Sequence, residues 1–273
     1  MKFENLSLIY FSPTSTTQTV LKEIAKGLGK KIHTVINITD PQIRNHPAPE
    51  FKSDVVLIGT PVYAGRIPKD AADYLKTING SDSLAIVVVL YGNREFEDAL
   101  VELKNIADDS GFIPVAAAAF IGEHSFSNDV FPIAVKRPDK EDLEKAFLFG
   151  KQIAFFLKGL GKSENLVPVA VPGNFPYKEG VSFGGFKFID VTEDCDNCEQ
   201  CVTACPMEAI DALDHYSTRP EYCIYCCACI KACPWHARIL KDSPIKEKLK
   251  WLYENCAFRK EPQTFLSGDF YSR

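Results

Sequence analysis

Cys195-Asp196-Asn197-Cys198-Glu199-Gln200-Cys201-Val202-Thr203-Ala204-Cys205-Pro206 reads C-x2-C-x2-C-x3-C-P. Cys223-Ile224-Tyr225-Cys226-Cys227-Ala228-Cys229-Ile230-Lys231-Ala232-Cys233-Pro234 repeats it 28 residues later. Thiolates are soft ligands and select iron–sulfur or zinc. Zinc sites pair two C-x2-C units, or Cys with His, across a longer gap. A third Cys after x2, followed by x3-Cys-Pro, fits [4Fe–4S] ligation instead. Disulfides are a poor reading, since no secretory leader is expected and the chain is long enough to build a core without them. The doubled run therefore predicts one-electron transfer at low potential.

The run resembles the bacterial-type ferredoxins that hold two [4Fe–4S] clusters. In that family the fourth Cys of each run serves the other cluster. The resemblance implies Cys195, Cys198, Cys201 and Cys233 on one cluster, and Cys223, Cys226, Cys229 and Cys205 on the other. Three cysteines of each run belong on a tight turn. The fourth is expected at the start of a helix, where Pro206 and Pro234 suit the first position. Cys227, between two ligands, reads as a small buried side chain. Cys256, outside both runs, reads as a buried thiol.

At 273 residues the chain has room for about two domains. The net charge of −5 argues against a nucleic-acid binder. The charge is uneven: residues 189–240 hold nine acids and three bases, whereas 241–273 hold five acids and seven bases. An acidic electron-transfer segment implies redox partner proteins, donor and acceptor, with basic docking surfaces. The apolar runs Leu84–Tyr91 and Val115–Ile121 are far short of the ~20 residues that span a bilayer. No membrane span is expected, and the location is read as cytoplasmic, in an anaerobic or low-oxygen cell.

Upstream of the cysteines, strand and helix signals alternate. Apolar strands are predicted at Leu6–Phe11, Ile32–Ile38, Val55–Gly59, Leu84–Leu90 and Phe112–Phe120. Helices are predicted at Thr17–Leu28, Lys69–Ile78, Phe96–Asp108 and Asp142–Leu160. Strands this uniformly apolar belong in a parallel sheet covered on both faces. The fold class is thus α/β, a five-stranded doubly wound parallel sheet, followed by a small α+β unit around the cysteines. Ligands in such sheets bind beyond the C-terminal strand ends, so the loops there are the candidate sites.

The first loop is Ser12-Pro13-Thr14-Ser15-Thr16-Thr17-Gln18-Thr19, in which six of eight residues carry hydroxyls and none is charged. At a helix N-terminus such a loop suits a phosphate. Tyr10 to Thr17 resembles the FMN phosphate loop of flavodoxins, S-x-T-G-x-T. Gly59-Thr60-Pro61-Val62-Tyr63-Ala64-Gly65-Arg66-Ile67-Pro68 resembles their second flavin loop, and Tyr91-Gly92-Asn93-Arg94 their third. With the cysteine runs, the whole chain resembles the flavodoxin–ferredoxin fusion proteins of anaerobes. The resemblance implies strand order 2-1-3-4-5, one FMN and two [4Fe–4S] clusters. It further implies that Ser12, Thr14, Ser15, Thr16 and Thr17 hold the phosphate. Pro61, Val62, Tyr63 and Gly65 form the second loop, with Tyr63 stacked on the ring. Tyr91, Gly92 and Asn93 meet the ring edge through backbone groups, with Arg94 beside them. The family has Gly where this chain has Ser15, a steric cost if that residue needs positive φ.

The expected organisation is a flavodoxin-like FMN domain at 1–162, a connector at 163–188, a two-cluster ferredoxin domain at 189–240, and a C-terminal helix and tail at 241–273. The connector aromatics Phe175, Tyr177, Phe183, Phe186 and Phe188 suggest that it packs. Lys246–Cys256 reads as a helix docked on a domain. Glu123 and His124, after the fifth strand, read as a structural polar turn or a proton relay. The function expected is electron relay between clusters and FMN. The alternative is an FMN-dependent reductase of a small acceptor, fed by its own ferredoxin domain. A homodimer pairing each flavin with its neighbour's clusters is the other geometry open to a relay.

Overall fold

A computed structural model describes residues 5–52, 54–160, 166–180, 186–241 and 243–268. Its first module alternates strand and helix: β1 (Leu6–Tyr10), α1 (Thr16–Leu28), β2 (Ile32–Asn37), the one-turn α2 (Pro41–Arg44), β3 (Val55–Pro61), α3 (Lys69–Leu75), β4 (Leu84–Tyr91), α4 (Ala99–Asp109), β5 (Ile113–Ile121) and α5 (Lys140–Gly159). The five strands pair in parallel in the order β2-β1-β3-β4-β5, the flavodoxin-like order. β3 and β4 are central and buried on both faces, which is why they carry unbroken apolar sequence. β2 is the edge, and its side chains alternate between buried or half-buried and exposed.

One face of the sheet packs α1 and α5 through Val20, Leu21, Ile24, Phe149 and Ile153. The two helices meet at glycines: a Cβ on Gly27 would lie 2.0 Å from the Phe147 carbonyl oxygen, and one on Gly150 would lie 2.2 Å from that of Ile24. The other face packs α3 and α4 through Ala71, Tyr74, Leu75, Leu100, Leu103 and Ile106.

The second module is built from two copies of a strand, a one-turn helix and a strand: β6 (Ile189–Val191), α6 (Gln200–Thr203) and β7 (Ile210–Asp211), then β8 (Ser217–Thr218), α7 (Ala228–Lys231) and β9 (Arg238–Leu240). β6 pairs with β9 and β7 with β8, both antiparallel. The repeat extends to the backbone. Asn197 and Tyr225, Glu199 and Cys227, and Glu208 and His236 are left-handed residues at matching positions. The helices stand one step earlier than expected. Cys201 and Cys229 lie inside α6 and α7, while Cys205 and Cys233 follow them and open turns closed by Glu208 N–H and His236 N–H.

The chain then returns to the first module. After α8 (Ile245–Cys256), β10 (Gln263–Leu266) pairs antiparallel with β5 along Ala116–Ala119. The sheet therefore has six strands, one more than the five expected. The connector packs as anticipated at Tyr177, which accepts from Asn105 at 2.9 Å and lies under the Arg66 guanidinium. Phe188 is buried against Tyr225, whereas Phe175 is exposed. Phe183 lies outside the described residues. Buried Asp98 holds the connector by accepting from the backbone N–H groups of Asn174 and Lys178, both at 2.8 Å, and the Lys178 bond keeps its carboxyl below the usual range.

No helix among the described residues is long and apolar enough to cross a membrane.

Candidate cofactor site between the modules

The loops after β1, β3, β4 and β5 meet at one end of the sheet, where the second module and α8 cover them. Between them lies a cavity of about 530 Å³, within the ~300–1,000 Å³ range of small-molecule sites. Thr14 and Thr16 line it from the first loop, Pro61, Val62 and Tyr63 from the second, and Tyr91, Gly92 and Arg94 from the third. Ile224 and Tyr225 line it from between the Cys223 and Cys226 ligand positions, and Lys248, Trp251 and Leu252 from α8.

The first loop is a helix N-terminus. The N–H groups of Thr16 and Thr17 open α1 and have no carbonyl one turn earlier to bond. Ser15 is left-handed at φ 63°, the conformation Gly would supply, and its side chain makes no cap bond. Ser12 Oγ accepts from Gln18 N–H at 3.1 Å, so this hydroxyl is engaged by the helix itself. Thr17 Oγ1 is buried with no partner. Thr17 itself does not line the cavity; the Thr14 and Thr16 side chains at its wall, beside the open N–H groups of α1, fit a phosphate group.

The second and third loops shape the rest. Val62 N–H bonds the Leu90 carbonyl at 2.8 Å, tying the second loop to the end of β4. Gly65 (φ 82°) turns the chain and leaves no room for a Cβ beside Glu97. Burial pushes the Tyr91 phenol up to about 12, and its ring packs on Phe96 at 5.5 Å. Asn93 turns its side chain away from the cavity and donates to the carbonyls of Cys256 and Phe258, both at 2.6 Å, which holds the end of α8 in place. Burial holds the Tyr63 phenol well above its ordinary range, and Cys226, Cys227 and Cys223 raise it further as neighbours. The second flavin-type loop and the second cysteine run thus line the same cavity.

His124 also lines the cavity. Its Nδ1 accepts from Phe126 N–H at 3.1 Å, which leaves the proton of the neutral ring on Nε2. Burial, with Arg94, Lys231 and Lys248 nearby, lowers its pKa to about 4. The imidazole is therefore neutral at physiological pH. Glu123 is fixed beside it, accepting from Lys136 N–H at 3.1 Å and from Lys231 Nζ at 2.5 Å.

All ten cysteines, nine in the second module and Cys256 in α8, are free thiols. Cys195, Cys198, Cys201 and Cys233 surround one small void. Burial holds the Cys226 thiol well above its ordinary range, and Cys229, Cys205 and Cys223 act on it as neighbours. The thiols fall into two groups of four, each containing the fourth cysteine of the opposite run. Among the described residues no three Cys, His, Asp or Glu side chains converge tightly enough for a single metal ion; the first group rings a void instead. Cys227 sits at the left-handed position that Glu199 occupies in the first run, and it packs with Phe126, Phe188 and Leu249.

Several contributors had no motif to announce them. Arg44 Nη2 donates to the Pro206 carbonyl at 2.5 Å, pinning the turn after Cys205 to the first module. Trp251 and Lys248 of α8 wall the cavity. Arg238 is buried beside Cys201, with 3.7 Å from Nη1 to Sγ.

Residues 187–234 match the 4Fe-4S dicluster domain family. This segment is an iron–sulfur electron-transfer module with [4Fe–4S] clusters as its cofactors. The first module is similar to a flavodoxin from the domain Archaea, at 11% identity and TM-score 0.37 over 56% of this chain and 99% of that one. It is similar to flavodoxin 2 from Bacillus cereus, at 17% identity and TM-score 0.39 over 56% and 99%. A third likeness is to the rubredoxin oxygen:oxidoreductase of Desulfovibrio gigas, at 17% identity and TM-score 0.41 over 57% of this chain but only 36% of that protein. No curated protein matches the chain.

Proposed function

We propose that this chain relays electrons within one molecule between two [4Fe–4S] clusters and FMN, as an electron-transfer protein of anaerobic metabolism. One observation carries the reading: a single cavity is lined both by the flavin-type loops and by Ile224 and Tyr225, which lie between two cluster-ligand positions. Thr14, Thr16 and the N-terminus of α1 would hold the FMN phosphate, and Tyr63, Tyr91 and Gly92 would frame its ring. Cys195, Cys198, Cys201 and Cys233 would ligate one cluster, and Cys205, Cys223, Cys226 and Cys229 the other. When bound, FMN exchanges one or two electrons, whereas each cluster exchanges one.

The two clusters have different surroundings. Cys198 is exposed and flanked by the exposed acids Glu193, Asp194, Asp196 and Glu199, which suits entry from a partner with a basic docking surface. Cys226 and Cys229 are buried. The path runs from the exposed cluster to the buried one and then to the flavin. Ile224 and Tyr225 of the second module and Lys248 and Trp251 of α8 wall the cavity, and this favours a carrier over a reductase. The test is an iron and flavin count on anaerobically purified protein. Two clusters and one FMN per chain are expected; zinc in place of iron, or no retained flavin, would end the proposal.

A further inference from the structure

Arg238 occupies a position that the internal repeat reserves for an apolar residue. It lies 28 residues after Ile210, at the first position of β9 as Ile210 is at the first of β7. Both are buried, at 6% exposure for Ile210 and 2% for Arg238. A buried guanidinium in place of an isoleucine is costly unless an anion faces it. Arg238 makes no ion pair with any described carboxylate. Its Nη1 donates to the Tyr216 carbonyl at 2.7 Å, and its Nη2 to Thr218 Oγ1 at 2.5 Å. Nε is buried without a partner. The remaining contact is sulfur, from Nη1 to Cys201 Sγ. Arg238 thus faces the group of Cys195, Cys198, Cys201 and Cys233, whose void it also lines.

We propose that Arg238 is a built-in counter-ion to the cluster that Cys201 would ligate, raising its reduction potential. The inference rests on the two-cluster reading above. Four thiolates around that cluster supply the negative charge that a buried, unpaired guanidinium requires. Each reduction adds one electron and no proton, so the reduced cluster is the more negative one. A fixed cation therefore stabilises the reduced form more than the oxidised form. The N–H bond to Cys201 adds to the effect on its cluster, because hydrogen bonds to ligating sulfur raise the potential. Thr218 and the Tyr216 carbonyl hold the fork in place and carry no charge to cancel it.

The experiment measures cluster midpoint potentials and iron content in full-length protein with Arg238→Ile, Arg238→Gln and Arg238→Lys. Isoleucine is the residue that the matching position already holds. At fixed potential, Arg238→Ile and Arg238→Gln should shift the oxidised-to-reduced ratio of the Cys201 cluster about tenfold toward oxidised, about 59 mV for one electron. Arg238→Lys should keep most of the wild-type potential. The shift should persist at high salt, because buried charges are weakly screened. Full iron with wild-type potentials in the Ile or Gln variant would overturn the inference and leave the two-cluster reading intact. Equal shifts in Gln and Lys would overturn it too, since charge would not then be the cause. If Arg238→Ile loses its iron, the comparison of Gln with Lys still decides. A wild-type protein with no iron would remove the two-cluster reading itself, and the inference with it.

Discussion

Gly92 and His124 touch so closely that no side chain fits between them: a Cβ on Gly92 would lie 2.5 Å from His124 Cδ2 and 2.9 Å from its Cα. The Cα is backbone and cannot swing aside. The glycine after β4 therefore lets the loop after β5 approach the cavity. Gly92→Ala should cost about 1–3 kcal/mol of stability through overpacking and weaken FMN binding. Denaturant midpoints and a flavin titration check both. An alanine variant with wild-type stability and affinity would show that the loops have room to part.

Ser15 bears the opposite constraint. It is left-handed at φ 63° and exposed, and its side chain caps nothing. Ser15→Gly should raise stability by about 1 kcal/mol by removing the steric cost of that conformation. FMN affinity should not fall, because the cavity is lined by Thr14 and Thr16 rather than Ser15. A loss of affinity in a calorimetric titration would show that the Ser15 hydroxyl itself holds the phosphate.

Crossed ligation makes an asymmetric prediction. Cys205→Ala should remove the cluster of Cys223, Cys226 and Cys229 and leave that of Cys195, Cys198 and Cys201, so that iron per chain falls by about half. Cys227→Ala should leave iron unchanged and cost only packing between the modules. Electron paramagnetic resonance of the reduced variants separates the two signals. Loss of the Cys195 cluster in Cys205→Ala would reverse the assignment.

His124 ties stability to pH. Its folded pKa, near 4, lies below the ordinary value of 6.5. Between those values the unfolded chain takes a proton that the fold refuses. The contribution is complete above the ordinary pKa and is lost as pH falls toward 4. Arg94, Lys231 and Lys248 surround the ring and oppose its charging. Flavin-free protein should therefore lose stability as pH falls from about 6.5 toward about 4, and His124→Gln should lose less. Parallel profiles for the two proteins would remove His124 as the cause.

The legible parts of this chain were those where one physical demand dominates a short stretch. β3 and β4 are buried on both faces and say so in every residue. The cysteine runs are legible because ligation fixes spacing, and the flavin-type loops because they follow strand ends. β10 was missed for the converse reason. Gln263-Thr264-Phe265-Leu266 is short and half-exposed, and its partner on β5 is a row of alanines that calls for no large complement. Arg238 was hidden in the same way, a lone base whose meaning appears only beside Ile210 in the matching strand. The contact between Arg44 and Pro206 joins residues 162 apart, and no local pattern encodes it.

The central claim is that electrons pass between clusters and FMN inside one molecule. The direct measurement is the rate of FMN reduction after rapid reduction of the clusters, followed over serial dilution of the protein. The shared cavity predicts a rate independent of concentration, because Tyr225 and Tyr63 wall the same space. A rate that falls in proportion to dilution would contradict it, placing the transfer between molecules or within a dimer that pairs each flavin with its neighbour's clusters.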